Sequence, residues 1–550
     1  VVIVAWASGR VLFHDPAIGP FRVRSETEFL RLWKATGSFA LVVTPGNVSK
    51  DQAPPAPPRP GDTGHGACDG LVDHAVETAR GPDPEAAVPE LLIARDLCVS
   101  EARSLRALAG VRFRQKRWVE AAAFAREAAS RDRADSENWR LLGASLYLAD
   151  QPRPALAAWN HIDEPRVDRV VIDGLLRTRQ DIATAVIGLR PRDVLTPESI
   201  AIAERRADEL PSASGSKLIY EPVSGGRATV VASVRENRLV EPWRILVLRL
   251  GGELVAKREG LIRFNSPTGR GEALEIGGRF AQRRPSVWAG LDTPRLLGLP
   301  GVVSLGALWD KQTYRLDSVP RSEATTESRR RGSIDWSHWV TSKARFEMGL
   351  GLDRFDDAGT FGSIHGGAEA RLLGDRGALA ADGSAFAGFG KARDFFESGA
   401  AFSFRSSVRP KRLTLFARLD GRRASVHAPR ALYPGAGKGP GRPFLLRSIR
   451  LVEDGELTGE VFGRGLLHGT VEVEAGLKDL AAVRVGVAAF TDWAKPWDTS
   501  RGHGPGTSVF AVGTGLRLRA STLALRLDVA KRPGRPGLFV SAGVIPRWPR

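Results

Sequence analysis

From about Glu241 to Arg550, apolar residues recur at every second position rather than every third or fourth. That is the period of a pleated strand with one oily face and one wet one. Between Arg345 and Phe355 the even positions hold Phe346, Met348, Leu350 and Leu352, while Arg345, Glu347 and Asp353 take odd ones. Val471, Val473, Ala475 and Leu477 alternate with Glu472 and Glu474, and Leu523, Leu525, Leu527 and Val529 with Arg526 and Asp528. Phe510, Val512, Leu516 and Leu518 do so with Gly513, Gly515, Arg517 and Arg519. No apolar run is long enough for a spanning helix. Segments of about ten residues, roughly fifteen or sixteen of them, suit a membrane barrel, whereas a sandwich uses about seven to nine shorter strands. The pattern predicts an antiparallel transmembrane β-barrel of about 16 strands over residues 239–550, with a large soluble β-rich binding protein as the alternative.

Upstream the texture differs. Val1 to Trp6 and Val11 to Phe13 read as strands around the turn Ser8-Gly9-Arg10, followed by a helix from Thr27 to Thr36 and a strand from Phe39 to Val43. Residues 47–66 form a Pro/Gly-rich spacer that cannot pack. Residues 67–164 are alanine-rich and helical. Residues 165–238 read as strand, helix, helix, strand, strand, with Thr196 capping a helix that has Pro197 in its first turn.

The formal charge of +18 comes mostly from arginine. No basic stripe with interleaved aromatics marks a nucleic-acid surface, and Arg345, Arg371, Arg517, Arg519 and Arg526 instead fall on the polar strand faces. Guanidinium groups lining a watery lumen account for that better. Cys68 and Cys98 make an even pair; a disulfide and two small core residues both fit. Gly435-Ala436-Gly437-Lys438-Gly439 lacks the spacing of a phosphate-binding loop. The nine histidines show no metal-ligand spacing, and no cofactor is expected.

Four resemblances sharpen this reading. Residues 1–46, with Asp15-Pro16 after the second strand, resemble the closing part of papain-like cysteine peptidases that trim double-glycine leaders. There Asp15 would orient a histidine, and the matching His and Cys are missing from this chain. No catalysis is expected of it, a barrel-anchored peptidase parent being the alternative. Trp139, Leu142, Gly143, Leu146, Ala155 and Trp159 resemble a tetratricopeptide repeat, and Leu105, Leu108, Ala109, Ala121 and Ala128 a looser copy one period earlier. Residues 165–238, with Ile172-Asp173-Gly174-Leu175 and Gly188-Leu189-Arg190-Pro191 before Leu195-Thr196, resemble a POTRA domain.

A POTRA-like unit before alternating strands is the arrangement of the bacterial surface antigen family, outer-membrane assembly and translocation barrels. Phe264-Asn265 with Gly269-Arg270-Gly271-Glu272 is similar to that family's early hairpin, and Glu327 to Ser333 to the start of a middle strand. The family folds a loop, here residues 428–465, back into the lumen, where it presents an arginine in a hydrophobic-Arg-Gly-aromatic motif. Leu446-Arg447-Ser448-Ile449 keeps the arginine but replaces the glycine and the aromatic. Gly469 to Val473 and Phe490-Thr491-Asp492 are similar to strands carrying an inward glutamate and aspartate, and parity independently puts Glu472 and Asp492 on the polar face. The resemblance therefore implies a lumen lock of Arg447, Glu472 and Asp492. It also implies an outer-membrane location with residues 1–238 in the periplasm. The partners it implies are outer-membrane lipids and lipopolysaccharide, unfolded or secreted client polypeptides, and periplasmic accessory proteins at the repeats. The last strand, Leu538 to Trp548, would close the ring.

Overall fold

The structure is a computed structural model that describes residues 2–7, 9–15, 19–35, 37–38, 65–99, 101–315, 324–407, 413–437, 444–453, 455–458, 460–480, 483–499, 502–519 and 524–544. The chain divides into two compact units, Val1–Asp168 with Pro191–Pro197 and Pro222–Ala228, and the remainder.

In the first unit, β1 (Val2–Ala7), β2 (Arg10–Asp15) and β3 (Gly19–Ser25) form an antiparallel sheet ahead of α1 (Glu26–Ala35). Strand β3 corrects the sequence reading, which passed from the Asp15-Pro16 turn straight to the helix. Phe21 and Val23 alternate with Arg22 and Arg24 there, too short a run to stand out beside the helix. The expected strand Phe39 to Val43 and the spacer as far as residue 64 lie outside the described residues. His65 and Gly66, read as spacer, already belong to α2 (His65–Arg80). Then come α3 (Val88–Leu97), α4 (Arg103–Arg114), α5 (Trp118–Arg131), α6 (Ser136–Leu148) and α7 (Pro152–Trp159).

The small residues of these helices are where the packing needs them. Leu105, Leu108, Ala109, Ala121 and Ala128 are fully buried. A Cβ on Gly143 would stand 2.3 Å from the Trp159 indole nitrogen, so glycine lets α6 and α7 close on each other. Trp139 stacks on His161 at 3.8 Å. Cys98 is held in a disulfide; the chain's other cysteine is Cys68, whose side chain lies outside the described residues.

The next five elements are β4 (Arg166–Asp173), α8 (Gln180–Ile187), α9 (Pro197–Asp208), β5 (Ala213–Val223) and β6 (Arg227–Glu236), with sheet order β4-β6-β5. This is the predicted strand, helix, helix, strand, strand order, and it leaves β4 and β5 as the two sheet edges.

The rest of the second unit is a closed barrel. A helix, α10 (Trp243–Lys257), precedes β7 (Glu259–Asn265), β8 (Ala273–Arg279), β9 (Ser286–Pro294), β10 (Val302–Arg315) and β11 (Thr325–Trp339). Around the ring follow β12 (Ala344–Phe355), β13 (Gly359–Leu372), β14 (Gly377–Gly388), β15 (Phe395–Arg405) and β16 (Leu413–Ala424). Two short pieces, β17 (Val452–Glu453) and β18 (Glu456–Thr458), interrupt the wall before β19 (Gly463–Leu480) and β20 (Val483–Thr499). The short β21 (Gly502–Pro505), then β22 (Val509–Arg519), β23 (Ala524–Lys531) and β24 (Phe539–Val544) complete it. Because β16 pairs directly with β19 and β20 with β22, fifteen strands among the described residues make the wall, joined by fourteen successive antiparallel ladders. With an odd number, β24 and β7 run in the same direction where they close the ring.

Trp243–Lys257, inside the span expected to form the barrel, is a helix rather than a wall strand. Its near-continuous apolar run, Ile245 to Leu250, does not by period distinguish strand from helix. The chain enters beside one end of β7, where Asn265 N–H donates to Leu239 O at 2.8 Å. It re-enters β7 at the other end, where Phe280 N–H donates to Arg258 O at 2.7 Å. Residues 545–550, which include the end of the predicted last strand, lie outside the described residues.

The wall alternates as predicted. Phe346, Met348, Leu350, Leu352, Val471, Val473, Phe510, Val512, Leu525, Leu527 and Val529 face outward and are each 38–59% exposed, whereas Asp353, Asp492, Arg517 and Asp528 face inward and are fully buried. A soluble fold would bury the first set.

One rim of the barrel carries the β-α-α-β-β unit. The Glu198 carboxylate of α9 accepts from the Ser342 N–H at 2.8 Å and its hydroxyl at 2.7 Å, in the β11–β12 turn. Arg345 reaches Glu209 at 2.5 Å, and Arg206 donates to Trp339 O. At the β7–β8 turn, Thr178 joins Ser212, Glu236 and Ser266 in a buried hydrogen-bonded knot. Gly271, at φ +76°, sits against this knot, where a Cβ would lie 2.7 Å from Leu210. Only a residue free to adopt that left-handed backbone, with no side chain, fits.

Burial would raise the Glu236 pKa, but the Thr178 hydroxyl and the N–H groups of Leu176, Arg177 and Thr178 outweigh it and hold the carboxyl below its usual range. For Glu198 the Ser342 hydroxyl and N–H lower it likewise. A depressed folded pKa gives stability that is complete above the unfolded value and lost as pH falls through the folded one. The rim docking therefore weakens on acidification below the ordinary carboxylate range. Glu236→Ala removes about 1–3 kcal/mol from it at neutral pH. Limited proteolysis of residues 176–180 across pH 3–7 checks this: cleavage that rises only at the acid end in wild type, and at all pH in the variant, is the expected result.

Candidate functional site: a loop pinned inside the barrel

Between β16 and β19 the chain turns inward. Arg430–Leu432 forms a single helical turn, Ala436 bridges Phe444, Gly435 bridges Phe462, and β18 pairs in parallel with β10. Leu446 and Ile449 are buried with Ala436, Phe444, Val461, Leu466, Ala494, Val509 and Ala511. That apolar seat clamps both flanks of Arg447 and leaves its side chain one direction to go.

Arg447 extends to the wall. Its Nε and Nη2 donate side-on to the two Asp492 oxygens at 2.9 and 3.0 Å, its Nη1 to Glu472 at 2.7 Å, and its own backbone N–H to Asp492 at 3.2 Å. The guanidinium carbon stands 3.4 Å over the Phe490 ring. Thr470 Oγ1 donates to Asp492 at 2.7 Å, filling the remaining lone pair. The three residues predicted from sequence thus come together, with Arg447 only 4% exposed.

The arrangement is larger than predicted. Arg517 Nε donates to the other Glu472 oxygen at 2.9 Å and its Nη1 to Asp528 at 2.6 Å, while Arg526 reaches Asp528 at 2.5 Å. Asp528 also lies 3.6 Å from Arg447. Three arginines and three carboxylates from the loop, β19, β20, β22 and β23 therefore form one electrically neutral lattice. Arg517, Arg526 and Asp528 were legible as lumen-facing by parity, but their role needed the neighbouring register: Gly515 opposite Asp528 and Arg517 opposite Arg526. A Cβ on Gly515 would stand 2.1 Å from the Asp528 carboxylate and 2.7 Å from Arg517, so the small residue makes room for the ions.

The two departures from the family motif have a physical resolution. Ile449 N–H donates to Leu446 O across the Arg447-Ser448 turn, and neither residue has positive φ, so no glycine is needed. The aromatic contact is supplied by the wall, through Phe490. Of the other predicted site residues, Asp15 ends β2, and its side chain lies outside the described residues.

Several solved structures are similar to this chain. Among them are BamA from Haemophilus ducreyi lacking POTRA domains 1-3 (12% identity, TM-score 0.42, covering 69% of this chain and 84% of that one), CdiB from Escherichia coli (13%, 0.45, 69% and 75%) and CdiB from Acinetobacter baumannii (10%, 0.43, 78% and 86%). No family model and no curated protein matches the chain.

Chemically the site is a clasp. Among the described residues no group of three or more His, Cys, Asp or Glu could hold a metal ion, and every charged group of the lattice is engaged by an opposite one. Removing Arg447 leaves buried carboxylates uncompensated, a loss of about 3–5 kcal/mol for the pinned loop. Arg447→Ala and Gly515→Ala should both free the loop, whereas Arg447→Lys, which keeps the charge but not the side-on pair, should free it partly. Spin labels at the exposed Glu453 of the same loop check this: a narrowed, mobile spectrum in the first two variants is expected, and an unchanged one contradicts the clasp.

Proposed function

We propose that the chain is a non-catalytic outer-membrane barrel that inserts or translocates polypeptides, with residues 1–238 on the periplasmic side. The observation that carries this reading is the closed ring whose outer face carries an exposed apolar band and whose inner face carries the buried, paired charges. Hydrocarbon tolerates that outside and water does not. The β-α-α-β-β unit, which we read as POTRA-like, adds the second element. It is docked at the rim formed by the β7–β8, β11–β12 and β13–β14 turns, where Arg205 also bonds Asp375. Strand β5 is an edge of its three-stranded sheet, and an edge offers backbone donors and acceptors to an incoming strand. The α4–α7 hairpins, which we read as tetratricopeptide-like, would present a partner or client surface. The pinned loop stands where it governs passage through the lumen.

The reading requires that the folded chain sediment with outer membranes and migrate faster on gels unheated than boiled. A chain that stays in the soluble fraction without detergent contradicts it. Arg447→Ala should lower client insertion or secretion by about tenfold, equivalent to ~1.4 kcal/mol, at unchanged barrel abundance. Equal activity of wild type and variant would remove the loop from the mechanism.

A further inference from the structure

The outer face is not apolar to the top. On β10, β11 and β12 the outward positions read Leu305, Ala307, Trp309, Lys311; Ile334, Gly332, Arg330, Ser328; and Leu350, Leu352, Arg354. The register aligns them: Arg330 is directly opposite both Arg354 and Trp309, and Lys311 is opposite Ser328, one outward row higher. All three cations are exposed. They lie at the end of the wall away from the β11–β12 turn that carries the docked unit, just where the apolar band of Met348, Leu350 and Leu352 ends.

Two like charges directly opposite each other in a sheet repel at about 5 Å between Cα atoms. Among the described residues none of Lys311, Arg330 and Arg354 forms an ion pair with a carboxylate. The outward carboxylate at that end, Asp356, already accepts from the Ser328 hydroxyl. The other outward cations of the upper wall stand opposite neutral residues: Arg423 faces Ser398 and Gly465, Lys495 faces Leu467, and Lys531 faces Val512. Among the described residues, only at Arg330 and Arg354 is repulsion built into the outer face, and it is built in beside an indole suited to the boundary between hydrocarbon and headgroup.

We propose that Lys311, Arg330 and Arg354 form a site for the phosphate of an outer-leaflet lipid headgroup. The inference rests on the membrane reading above. The register puts two guanidinium forks and an ammonium on adjacent outward rows of three neighbouring strands, a donor set that meets a tetrahedral dianion with charge-assisted hydrogen bonds. The acyl chains of the same molecule run down Leu352, Leu350 and Leu305. Trp309 meets the sugar or glycerol boundary.

The test uses the full chain reconstituted in nanodiscs and native mass spectrometry of retained lipid. The probes are a bis-phosphorylated acylated disaccharide, its dephosphorylated form, and inorganic phosphate as competitor. The variants are Lys311→Ala/Arg330→Ala/Arg354→Ala, and Arg423→Ala/Lys495→Ala/Lys531→Ala as a control of equal charge change. Wild type and control should retain the phosphorylated lipid, and the first triple variant should bind it about a hundredfold more weakly, roughly fivefold for each cation. Dephosphorylated lipid should not be retained, and millimolar phosphate should not displace the lipid. Equal loss in both triple variants would mean general surface charge and overturn the site. So would retention by the first variant, or displacement by free phosphate, which would assign the cations to a soluble anion. Heat-modifiable migration of every variant is read in parallel; its absence in wild type would sink the barrel reading itself, whatever the lipid data.

Discussion

A guanidinium taken out of bulk water has to be met by carboxylates, and most of what distinguishes this barrel follows from how that demand is satisfied. Arg447 is 4% exposed, and Asp492 and Asp528 are fully buried. Each of these would be unfavourable alone, by several kcal/mol for an unpaired buried ion. Together with Glu472, Arg517 and Arg526 they cancel. The cancellation ties a loop that left the wall at Ala424 to four strands between Gly463 and Lys531. The apolar seat around Leu446 and Ile449 provides ordinary burial energy; the ions provide the address.

The same division of labour holds for the whole wall. Strand period two puts the apolar band of the mid-wall on one side and the paired charges of the lattice on the other, and a one-residue slip would exchange them. The ion pairs therefore guard register as much as stability: Arg329 with Asp353 at 2.6 Å and Arg519 with Glu474 at 2.8 Å lock inward faces between strands. At the docked rim, by contrast, carboxylates meet hydroxyls and N–H groups, as at Glu198 with Ser342 and Glu236 with Thr178. That contact is softer than the lattice and is sensitive to acid.

How much of this was legible beforehand divides along physical lines. Alternation at Phe346 to Leu352 and Val471 to Leu477 gave the barrel and its two faces, because a half-exposed strand writes its orientation into every second residue. The small buried residues Ala121, Gly143 and Ala155 marked the helical hairpins, and Thr196-Pro197 and Gly188-Leu189 marked the ends of α9 and α8. The resemblance and parity together brought Arg447, Glu472 and Asp492 to one place. Three features escaped. Strand β3 was too short, Trp243–Lys257 carries an apolar run that suits either a strand or a helix, and Arg517, Asp528 and Gly515 join the lattice only through cross-strand register. Register is a long-range property that no local pattern reports.

The account stands on hydrocarbon meeting one face of the ring and water the other. The most direct test is single-cysteine labelling along β12, from Phe346 to Leu352, in the reconstituted full chain, with one probe confined to the lipid phase and one to water. The lipid-phase probe should label positions 346, 348, 350 and 352 and the aqueous probe positions 347, 349 and 351. Equal aqueous labelling of both sets, or of neither, would contradict it.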